Sequence, residues 1–434
     1  MPNVFDFAYV LALGLASPWL AYGAWRHGKY REGWHEKLRG QIPRRSSYAP
    51  CAWFHAVSVG EVNLLKPLLD RWSRQFPEWE CVISTTTRTG YELARQKYVG
   101  RTVFYCPLDF SWAVREACER VRPQLLVLAE LELWPNLVHT AHRRGCRIGI
   151  VNGRLSERSA RGYARIKPVI RRLLERVDVV AVQNDEYAAR FRGLGAPDNR
   201  VLVTGSVKFD GVQTERANPA TLRLRQLAGV ADDDIVFLAG STQAPEEEVA
   251  LLAFRELADH HPRLRLILVP RHTTRCDEIA RMLDRHEIPW QRRSQLDRTG
   301  PRAAARVLLV DTIGELSAWW GAAQIAFVGG SLGSRGGQNM IEPAGYGAAI
   351  SFGPNTRNFR DIVQALVGCR GAQIVRDGTE LRAFVQWCLD EPAGAAAMGR
   401  RAQELVIAQR GATDRTIDAL ARLVDTSLTR RSAA

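Results

Sequence analysis

The sequence predicts an α/β protein with two doubly wound domains, each built on a parallel sheet that helices cover on both faces. Three observations support this prediction. A chain of 434 residues is long for one hydrophobic core. Short apolar runs alternate with longer amphipathic segments, as strands alternate with crossover helices. A polar stretch at residues 210–222 interrupts the alternation and suggests a boundary between two domains.

The chain begins with a predicted membrane anchor. Residues 7–25 are apolar or small throughout, and a helix of that length extends about 28 Å, enough for the core of a bilayer. A cleaved signal peptide is the alternative, but residues 1–6 contain no lysine or arginine. The basic residues follow the helix, between 26 and 45, so the positive-inside rule places the rest of the chain in the cytoplasm. We expect an anchor domain at residues 1–25 that either spans or dips into the membrane.

The two main domains are predicted at residues 26–209 and 210–434. The strands of the first are the apolar runs at 52–58, 81–86, 102–106, 124–130, 147–152, 178–183 and 200–204. Those of the second are at 235–240, 264–270, 307–311, 325–328, 348–352 and 372–375, and the tail at 380–428 is predicted to be helical. Strands that are apolar on both faces are typical of parallel sheets.

Charge and cysteine usage limit the class of protein. A net charge of +14 and a pI near 9.8 indicate anionic partners such as phosphates, acidic lipids or nucleic acid. The eight cysteines are scattered, with no C-x-x-C pair and no zinc-ligand spacing to histidine. We therefore expect no metal, and free thiols in a reducing compartment.

One stretch, residues 325–347, has the pattern of a nucleotide site. An apolar strand runs into two glycine pairs, Gly329-Gly330 and Gly336-Gly337. Glycines let backbone amides approach an anion closely, and a helix that begins after Gln338 would direct its positive end at the same anion. Glu342 would then lie near the first turn, placed to accept hydrogen bonds from a ribose. The alternative is an ordinary strand–turn–helix connection.

Polar residues follow many of the predicted strands, at the edge where open α/β sheets bind ligands. In the first domain they include Ser58, Glu61, Asp109, Glu130, Glu132, Asn152 and Arg154; in the second they include Thr242, Arg271, His272, Asp311, Glu315 and Ser331. Two such rows facing a shared cleft would suit a transferase that binds a donor on one wall and an acceptor on the other.

Four strand-end carboxylates of the first domain, Glu61, Asp109, Glu130 and Glu132, are candidates for the general base. Glu61 falls in the first turn of a predicted helix, next to the small residues Ser58 and Gly60, where the helix dipole is expected to lower its pKa. The alternative is a simple helix cap. Glu130 and Glu132 end a strongly apolar strand, and alternation sends both side chains to the same side if the strand extends that far. A buried carboxylate is costly unless it is paired, so we expect one of these two to be functional and the other structural.

Arginines recur between residues 154 and 176 at intervals of three, four or seven positions. On a single helix they would share one face, opposite an apolar stripe. Such a face predicts contact with an anionic partner, and the alternative is a solvated surface helix. Lys208 lies near the interdomain boundary, where it either enters the cleft or points to water.

Seven blocks of this sequence together resemble one family, the transferases of 3-deoxy-D-manno-octulosonic acid (Kdo). They are HAVSVGE, ELELWPN, NGRLSERSARGYA, VTGSVKFD, VPRH, DTIGEL and FVGGSL, in the order in which the family has them. The resemblance covers the chain from the N-terminal anchor to about residue 410. It implies a GT-B fold, with the acceptor site in the first domain and the CMP-Kdo site in the second.

The resemblance also implies a reaction and its residues. CMP-Kdo is the donor substrate, so no cofactor is expected, and transfer to a phosphorylated lipid A precursor proceeds with inversion and without a metal. The family's general base corresponds to Glu61, and its groups that stabilise the transition state correspond to Glu130 and Lys208. Its contacts to CMP correspond to Pro270, Arg271, Ile313, Gly314, Glu315, Asn339, Met340, Ile341 and Glu342. The enzyme would work at the anionic cytoplasmic face of the bacterial inner membrane and bind no nucleic acid.

The sequence departs from the family pattern on the donor side. Gln338 and Gln243 replace histidines that the family usually has, and Met340-Ile341 replaces a Pro-Leu pair. Two other functions fit parts of the pattern. A GT-B enzyme with a uridine donor would explain the polar strand ends, and a non-catalytic basic protein that binds membrane or nucleic acid would explain the charge.

Overall fold

The structure, a computed structural model, describes residues 6, 7, 9, 10, 14 and 32–431, with side chains up to Val424. Its internal contacts divide the chain into two compact units. Unit 1 comprises Met1–Asp210 and Arg410–Ala434, and unit 2 comprises Gly211–Gln409. Each unit is built on one seven-stranded sheet in which every pair of neighbouring strands is parallel.

The sheet of unit 1 has the strand order β3-β2-β1-β4-β5-β6-β7. Its strands are β1 (Cys51–His55), β2 (Glu80–Thr85), β3 (Val103–Tyr105), β4 (Leu125–Ala129), β5 (Arg147–Gly153), β6 (Val179–Val182) and β7 (Val201–Val203). The α-helices described in this unit are Trp34–Arg39, Val59–Gln75, Arg88–Lys97, Ser111–Val121, Pro135–Arg143, Glu157–Ala164, Lys167–Leu174, Asp185–Gly193 and Ala412–Arg431. Two 3₁₀ turns, Asp198–Arg200 and Val207–Phe209, flank β7.

The sheet of unit 2 has the order β10-β11-β9-β8-β12-β13-β14. Its strands are β8 (Ile235–Thr242), β9 (Leu264–Pro270), β10 (Trp290–Arg292), β11 (Val307–Leu309), β12 (Ile325–Val328), β13 (Ala349–Phe352) and β14 (Ala372–Ile374). Its α-helices are Pro219–Leu227, Glu246–Ala258, Cys276–Arg285, Arg293–Thr299, Leu316–Ala322, Ile341–Gly345, Arg360–Gly368, Gly378–Asp390 and Pro392–Ala408, with 3₁₀ turns at Thr273–Arg275 and Arg357–Phe359.

Both sheets are buried on their two faces, as the apolar runs indicated. Every residue of β4 and of β12 is buried. In unit 1 the two faces form separate apolar clusters, one around Trp53 and Phe104 and the other around Phe54 and Trp72. Every predicted strand is present. The strand that was not predicted, β10, lies at the edge of its sheet, where its polar residues Gln291 and Arg292 gave no apolar signal.

The C-terminal helix packs on unit 1, whereas the sequence placed it in the second domain. Asp210 accepts hydrogen bonds from two amides at the start of this helix. One is that of Gly411, the residue before the helix, at 2.6 Å, and the other is that of Thr413 in its first turn. Ile417 and Leu420 of the helix are fully buried in the core of unit 1. A Cβ atom on Gly149 of β5 would clash with Leu420, so the helix lies directly on the sheet. Helical periodicity identified the helix correctly but contains no information about which sheet it covers.

The arginine-rich stretch is not one helix. It forms two, Glu157–Ala164 and Lys167–Leu174, separated at Arg165 and Ile166. Pro168 lies in the first turn of the second helix, where it is tolerated because its missing amide hydrogen has no partner within the helix. The arginines therefore do not share a single continuous face, and the prediction of one was wrong. Arg158 and Arg165 are exposed, and Arg161 pairs with Glu157 at 3.7 Å.

Most of the predicted anchor at residues 7–25 lies outside the described residues. Within the part that the structure describes, no helix is long and apolar enough to cross a membrane. Two described side chains at its N-terminal end contact other parts of unit 1. Asp6 accepts hydrogen bonds from the amide and hydroxyl of Ser111, both at 2.7 Å, and the Tyr9 hydroxyl donates to Asp109 at 3.0 Å.

Candidate active site

Glu61 lies in the first turn of the helix Val59–Gln75 and closes a reciprocal cap with Ser58. The Ser58 hydroxyl donates to Glu61 Oε1 at 2.8 Å and accepts from the Glu61 amide at 3.3 Å, while the Val57 amide donates to Oε2 at 2.9 Å. Burial raises the pKa of Glu61, and the charge of Glu130 raises it further, against the lowering effect of these hydrogen bonds. The sequence had suggested that the helix dipole would lower this pKa. A half-buried carboxylate with a raised pKa is instead a stronger base.

Glu130 follows β4 directly, and its φ of 56° turns the chain away from the strand direction. The alternation that would have sent Glu130 and Glu132 to the same side of a longer strand therefore does not apply. The Glu130 amide donates to the Val151 carbonyl at 2.9 Å, which fixes the turn to the neighbouring strand. Its carboxylate lies 3.7 Å from the ammonium of Lys208, and both side chains are partly exposed.

Lys208 reaches Glu130 from the 3₁₀ turn Val207–Phe209, and a buried asparagine holds that turn. Asn152, the penultimate residue of β5, has a φ of 52°, and its Oδ1 accepts from the Val207 amide at 3.2 Å. Asn152 was expected only as a polar residue at a strand end, and its positioning role was not predicted. Its signal was an asparagine at a strand end, a residue that tolerates the left-handed conformation.

Glu132 is the third carboxylate of the cluster. The Trp134 indole donates to its Oε2 at 2.9 Å. Burial, followed by the charges of Glu61 and Glu130, raises the pKa of Glu132 to about 7. The cluster thus combines three carboxylates with one ammonium. Burial and repulsion from the other two carboxylates favour a proton on Glu132 near neutral pH.

Asp109, also a candidate base, serves another purpose. It is 4% exposed and accepts from the amides of Asn136 and Leu137, at 2.9 and 2.8 Å, at the start of the helix Pro135–Arg143. Its third donor is Tyr9. Burial raises the pKa of Asp109 to about 6. Asp109 is therefore a buried helix cap that fixes the end of the loop carrying Glu130 and Glu132.

In unit 2, the first glycine pair does not present its amides to a ligand. The fully buried carboxylate of Glu246 accepts from the amides of Gly330, Ser331 and Leu332 at 2.6, 2.9 and 2.9 Å, and from the Gln243 amide at 2.9 Å. The interpretation of this pair as a phosphate cradle was wrong, because Glu246 accepts the Gly330 amide and the Gly240 carbonyl accepts the Gly329 amide. The sequence signal that was missed is the acidic run Glu246-Glu247-Glu248, which starts the helix after β8.

The residues that the resemblance assigns to CMP lie after several strands of this sheet. Arg271, which follows β9, is exposed, and its amide donates to the Thr242 carbonyl at 2.9 Å. Ile313 is 86% exposed and precedes Gly314, whose φ is 89°. The Glu315 carboxylate is held by Arg293 in a forked pair at 2.7 and 2.9 Å and by the Thr312 hydroxyl at 2.6 Å.

Glu342 lies in the first turn of the short helix Ile341–Gly345, the position that the sequence predicts for it, and its contact with ribose hydroxyls stays a prediction. The Asn339 amide group donates to it at 2.9 Å, and burial raises its pKa. The side chains of Met340 and Ile341 are buried, so these two residues offer a ligand only their backbone. Pro270 is the last residue of β9 and is also buried.

A metal centre is not evident in the described part of the chain, where no group of three or more His, Cys, Asp or Glu side chains could hold an ion. The cysteines are all free thiols, and each is buried except Cys369, which is partly exposed.

Comparison with known proteins identifies sequence relatives. A model of the family described as 3-deoxy-D-manno-octulosonic-acid transferase (kdotransferase) matches residues 32–211. A 3-deoxy-D-manno-octulosonic acid transferase of Bordetella pertussis is 34% identical over 433 residues, 95% of this chain and 98% of that protein. One from Haemophilus influenzae is 33% identical over 371 residues, 85% of this chain and 86% of that protein.

Solved structures share the fold at low sequence identity. The UDP-GlcNAc 2-epimerase of Neisseria meningitidis, bound to UDP-GlcNAc, matches 86% of this chain and all of its own with a TM-score of 0.57, at 11% identity. At this identity the likeness concerns the architecture of two parallel-sheet units.

Proposed function

The chain belongs to the family of 3-deoxy-D-manno-octulosonic acid transferases, and from that premise we propose that it moves Kdo from CMP-Kdo to a phosphorylated lipid A precursor. It is a glycosyltransferase with the two-sheet architecture of the GT-B type. The observation that carries the proposal is the cluster in unit 1 in which Glu61, with a raised pKa, accompanies the Glu130–Lys208 pair.

In the proposed mechanism, Glu61 accepts the proton of the acceptor hydroxyl as that oxygen bonds to the anomeric carbon of Kdo. The bond from this carbon to the CMP phosphate breaks, and CMP leaves from the opposite face with the bonding electrons, so the configuration inverts. A positioned base contributes about 10²–10⁴-fold in rate. CMP is a good leaving group whose charge Arg271 can balance, so no second acid is required.

Glu130 and Lys208 have complementary parts in this proposal. Positive charge develops at the anomeric carbon as CMP leaves, and a carboxylate nearby stabilises it. The Lys208 ammonium lies 3.7 Å from the Glu130 carboxylate and holds it in position for this role.

We place the reaction at the cytoplasmic face of the inner membrane, with residues 7–25 as the anchor. The support is the apolar run itself and the basic residues between 26 and 45 that follow it. Exposed arginines of unit 1, including Arg158 and Arg165, are suited to the phosphates of the acceptor or of neighbouring lipids.

The purified full chain, incubated with CMP-Kdo and a lipid A precursor, should give a product whose mass has increased by Kdo. The same incubation with UDP-sugars in place of CMP-Kdo is the control for the rival donor. Turnover of a UDP-sugar without any product from CMP-Kdo would overturn the proposal.

A further inference from the structure

A short exposed loop, residues 311–315, lies between β11 and the helix Leu316–Ala322 and contains three of the residues that the resemblance assigns to CMP. Ile313 is 86% exposed, and Gly314 has a φ of 89°. In the described part of the chain, the backbone amides of Thr312, Ile313 and Gly314 make no hydrogen bond. Loops without internal hydrogen bonds are usually mobile, and ordering them on binding reduces affinity. This loop therefore binds a nucleotide tightly only if other residues fix its shape.

Arg293 fixes the end of the loop. It begins the helix Arg293–Thr299 and is 4% exposed. Its Nη2 and Nε atoms donate to the two oxygens of the Glu315 carboxylate at 2.7 and 2.9 Å, and the Thr312 hydroxyl donates to Oε2 at 2.6 Å. These donors fill three of the roughly four acceptor positions of a carboxylate. The Glu315 side chain therefore serves the shape of the loop, and the residue meets a ligand through its backbone.

Ser294, the next residue along the chain, fixes the beginning of the loop. Its amide donates to Oδ1 of Asp311 at 2.9 Å, and its hydroxyl donates to Oδ2 at 2.7 Å. Two adjacent residues of one helix thus hold positions 311 and 315, the two ends of the loop. Ile313 and Gly314 lie between these two attachments and are exposed to solvent.

The attachment through Arg293 is of a strong kind. A forked pair between a guanidinium and a carboxylate is charge-assisted and fixes the angle between the two groups as well as their distance. Asp297 adds a second carboxylate to Arg293 at 2.7 Å. Without the guanidinium, the partly buried carboxylate of Glu315 would lack its cation, which costs more than the loss of an exposed ion pair. Replacement of Arg293 should therefore release the end of the loop.

We propose that Arg293 and Ser294 are positioning residues, which hold the loop 311–315 in the shape that receives the nucleotide of the donor. The inference rests on the proposed function, because that function supplies CMP-Kdo as the ligand of unit 2. Neither residue touches the donor, and no bond is made or broken at them. A loop that is already in its bound shape loses less entropy on binding, so the two residues contribute to nucleotide affinity and not to the chemical step.

Arg293→Met, which keeps the apolar stem but not the guanidinium, should raise the dissociation constant of CMP and the KM for CMP-Kdo by about tenfold. Its kcat at saturating donor should stay within about twofold of the wild type, because only binding is affected. Arg293→Lys keeps the charge but not the fork and should restore part of the affinity. Ser294→Ala, which loses only the hydroxyl donor, should weaken CMP binding by a smaller factor.

A second measurement does not depend on turnover. Hydrogen exchange of the peptide that covers the loop 311–315 should be faster in Arg293→Met than in the wild type, and CMP should protect that peptide less. The matched control is Arg265→Met, which removes the guanidinium 2.5 Å from Asp234 at the amino ends of β8 and β9, away from the loop. This control should lower the thermal midpoint of the protein but change neither CMP binding nor the exchange of the loop.

Wild-type affinity for CMP in both Arg293→Met and Ser294→Ala would overturn the inference, and so would unchanged exchange of the loop in Arg293→Met. An equal loss of CMP binding in Arg265→Met would overturn it as well, because the effect would then follow stability. Arg293→Lys and Ser294→Ala provide the test if Arg293→Met does not fold. A wild-type protein that binds no CMP would instead refute the proposed function.

Discussion

Glu61 illustrates how one residue can be both structural and chemical. Its carboxylate completes a helix cap, and the same burial that makes the cap effective raises its pKa. Ser58 and Val57 donate to both of its oxygens, so the carboxylate is oriented before any acceptor binds. A base that is already oriented loses less entropy in the transition state.

We expect Glu61→Gln to lower kcat by about 10²–10⁴-fold while CMP-Kdo still binds, because glutamine keeps the size but not the basicity. Steady-state kinetics and equilibrium binding of the donor measure the two effects separately. Since the pKa of Glu61 is raised, wild-type kcat should fall on acidification as the base acquires its proton. If this variant kept a near-native kcat and Glu130→Gln lost most of its kcat, Glu130 would be the base and Glu61 the stabilising group.

Glu132 should make the stability of unit 1 depend on pH. Its pKa rises from 4.5 in the unfolded chain to about 7 in the folded one, so the folded state binds the proton more tightly. The stabilisation is present below pH 4.5 and is lost as pH rises through 7. Glu132→Gln cannot lose a proton, so its thermal midpoint should exceed that of the wild type at pH 8 and approach it at pH 5. Glu78→Gln, at an exposed position, is the control, and an equal effect there would contradict this prediction.

At the scale of elements, the loop between β4 and the helix Pro135–Arg143 carries two of the three clustered carboxylates. The sheet fixes its first residue through Glu130, and Asp109 fixes its end through two amides of the helix. Because Tyr9 donates to the same Asp109, the N-terminal segment takes part in holding this loop.

Tyr9→Phe removes one donor from a buried carboxylate, and we expect it to destabilise unit 1 by about 1–3 kcal/mol. Urea denaturation of the detergent-solubilised protein, followed by tryptophan fluorescence, measures the change. Phe7→Ala, where the side chain is 71% exposed, should have a much smaller effect. If the two variants had the same free energy of unfolding, the contact between Tyr9 and Asp109 would not contribute to stability.

At the scale of the whole molecule, the net charge of +14 favours binding to anionic surfaces, and this binding should weaken with salt. Replacing Arg158, Arg161 and Arg165 by glutamine should raise the KM of the acceptor several-fold and leave that of CMP-Kdo unchanged. Replacement of three exposed arginines of unit 2, Arg263, Arg281 and Arg285, controls for the loss of charge alone. An unchanged KM for the acceptor would show that the unit 1 arginines form a solvated surface.

The sequence predicts the strands well because strands buried on both faces are apolar throughout, and the one omission, β10, is a polar edge strand. It does not predict contacts between residues distant in the chain. Glu246 accepts the amides of the glycine loop from residues 84 to 86 positions further along the chain. Asp210 caps the C-terminal helix from about 200 positions away. Pro168 disfavours a helical conformation of the residue before it, so it indicates the break in the arginine-rich stretch, whereas the spacing of the arginines does not.

The return of the C-terminal helix to unit 1 has a consequence for biosynthesis. Unit 1 is made of the first 210 residues and the last 25, whereas unit 2 is one continuous segment between them. While the nascent chain is still on the ribosome, the face of the sheet around Gly149 and Val179 lacks Ile417 and Leu420, which follow unit 2 in the chain. Unit 2 can therefore fold during translation, but the unit that holds the proposed base is completed only after all of unit 2 has been made. Premature termination within the last helix would leave an apolar surface open to chaperones and proteases.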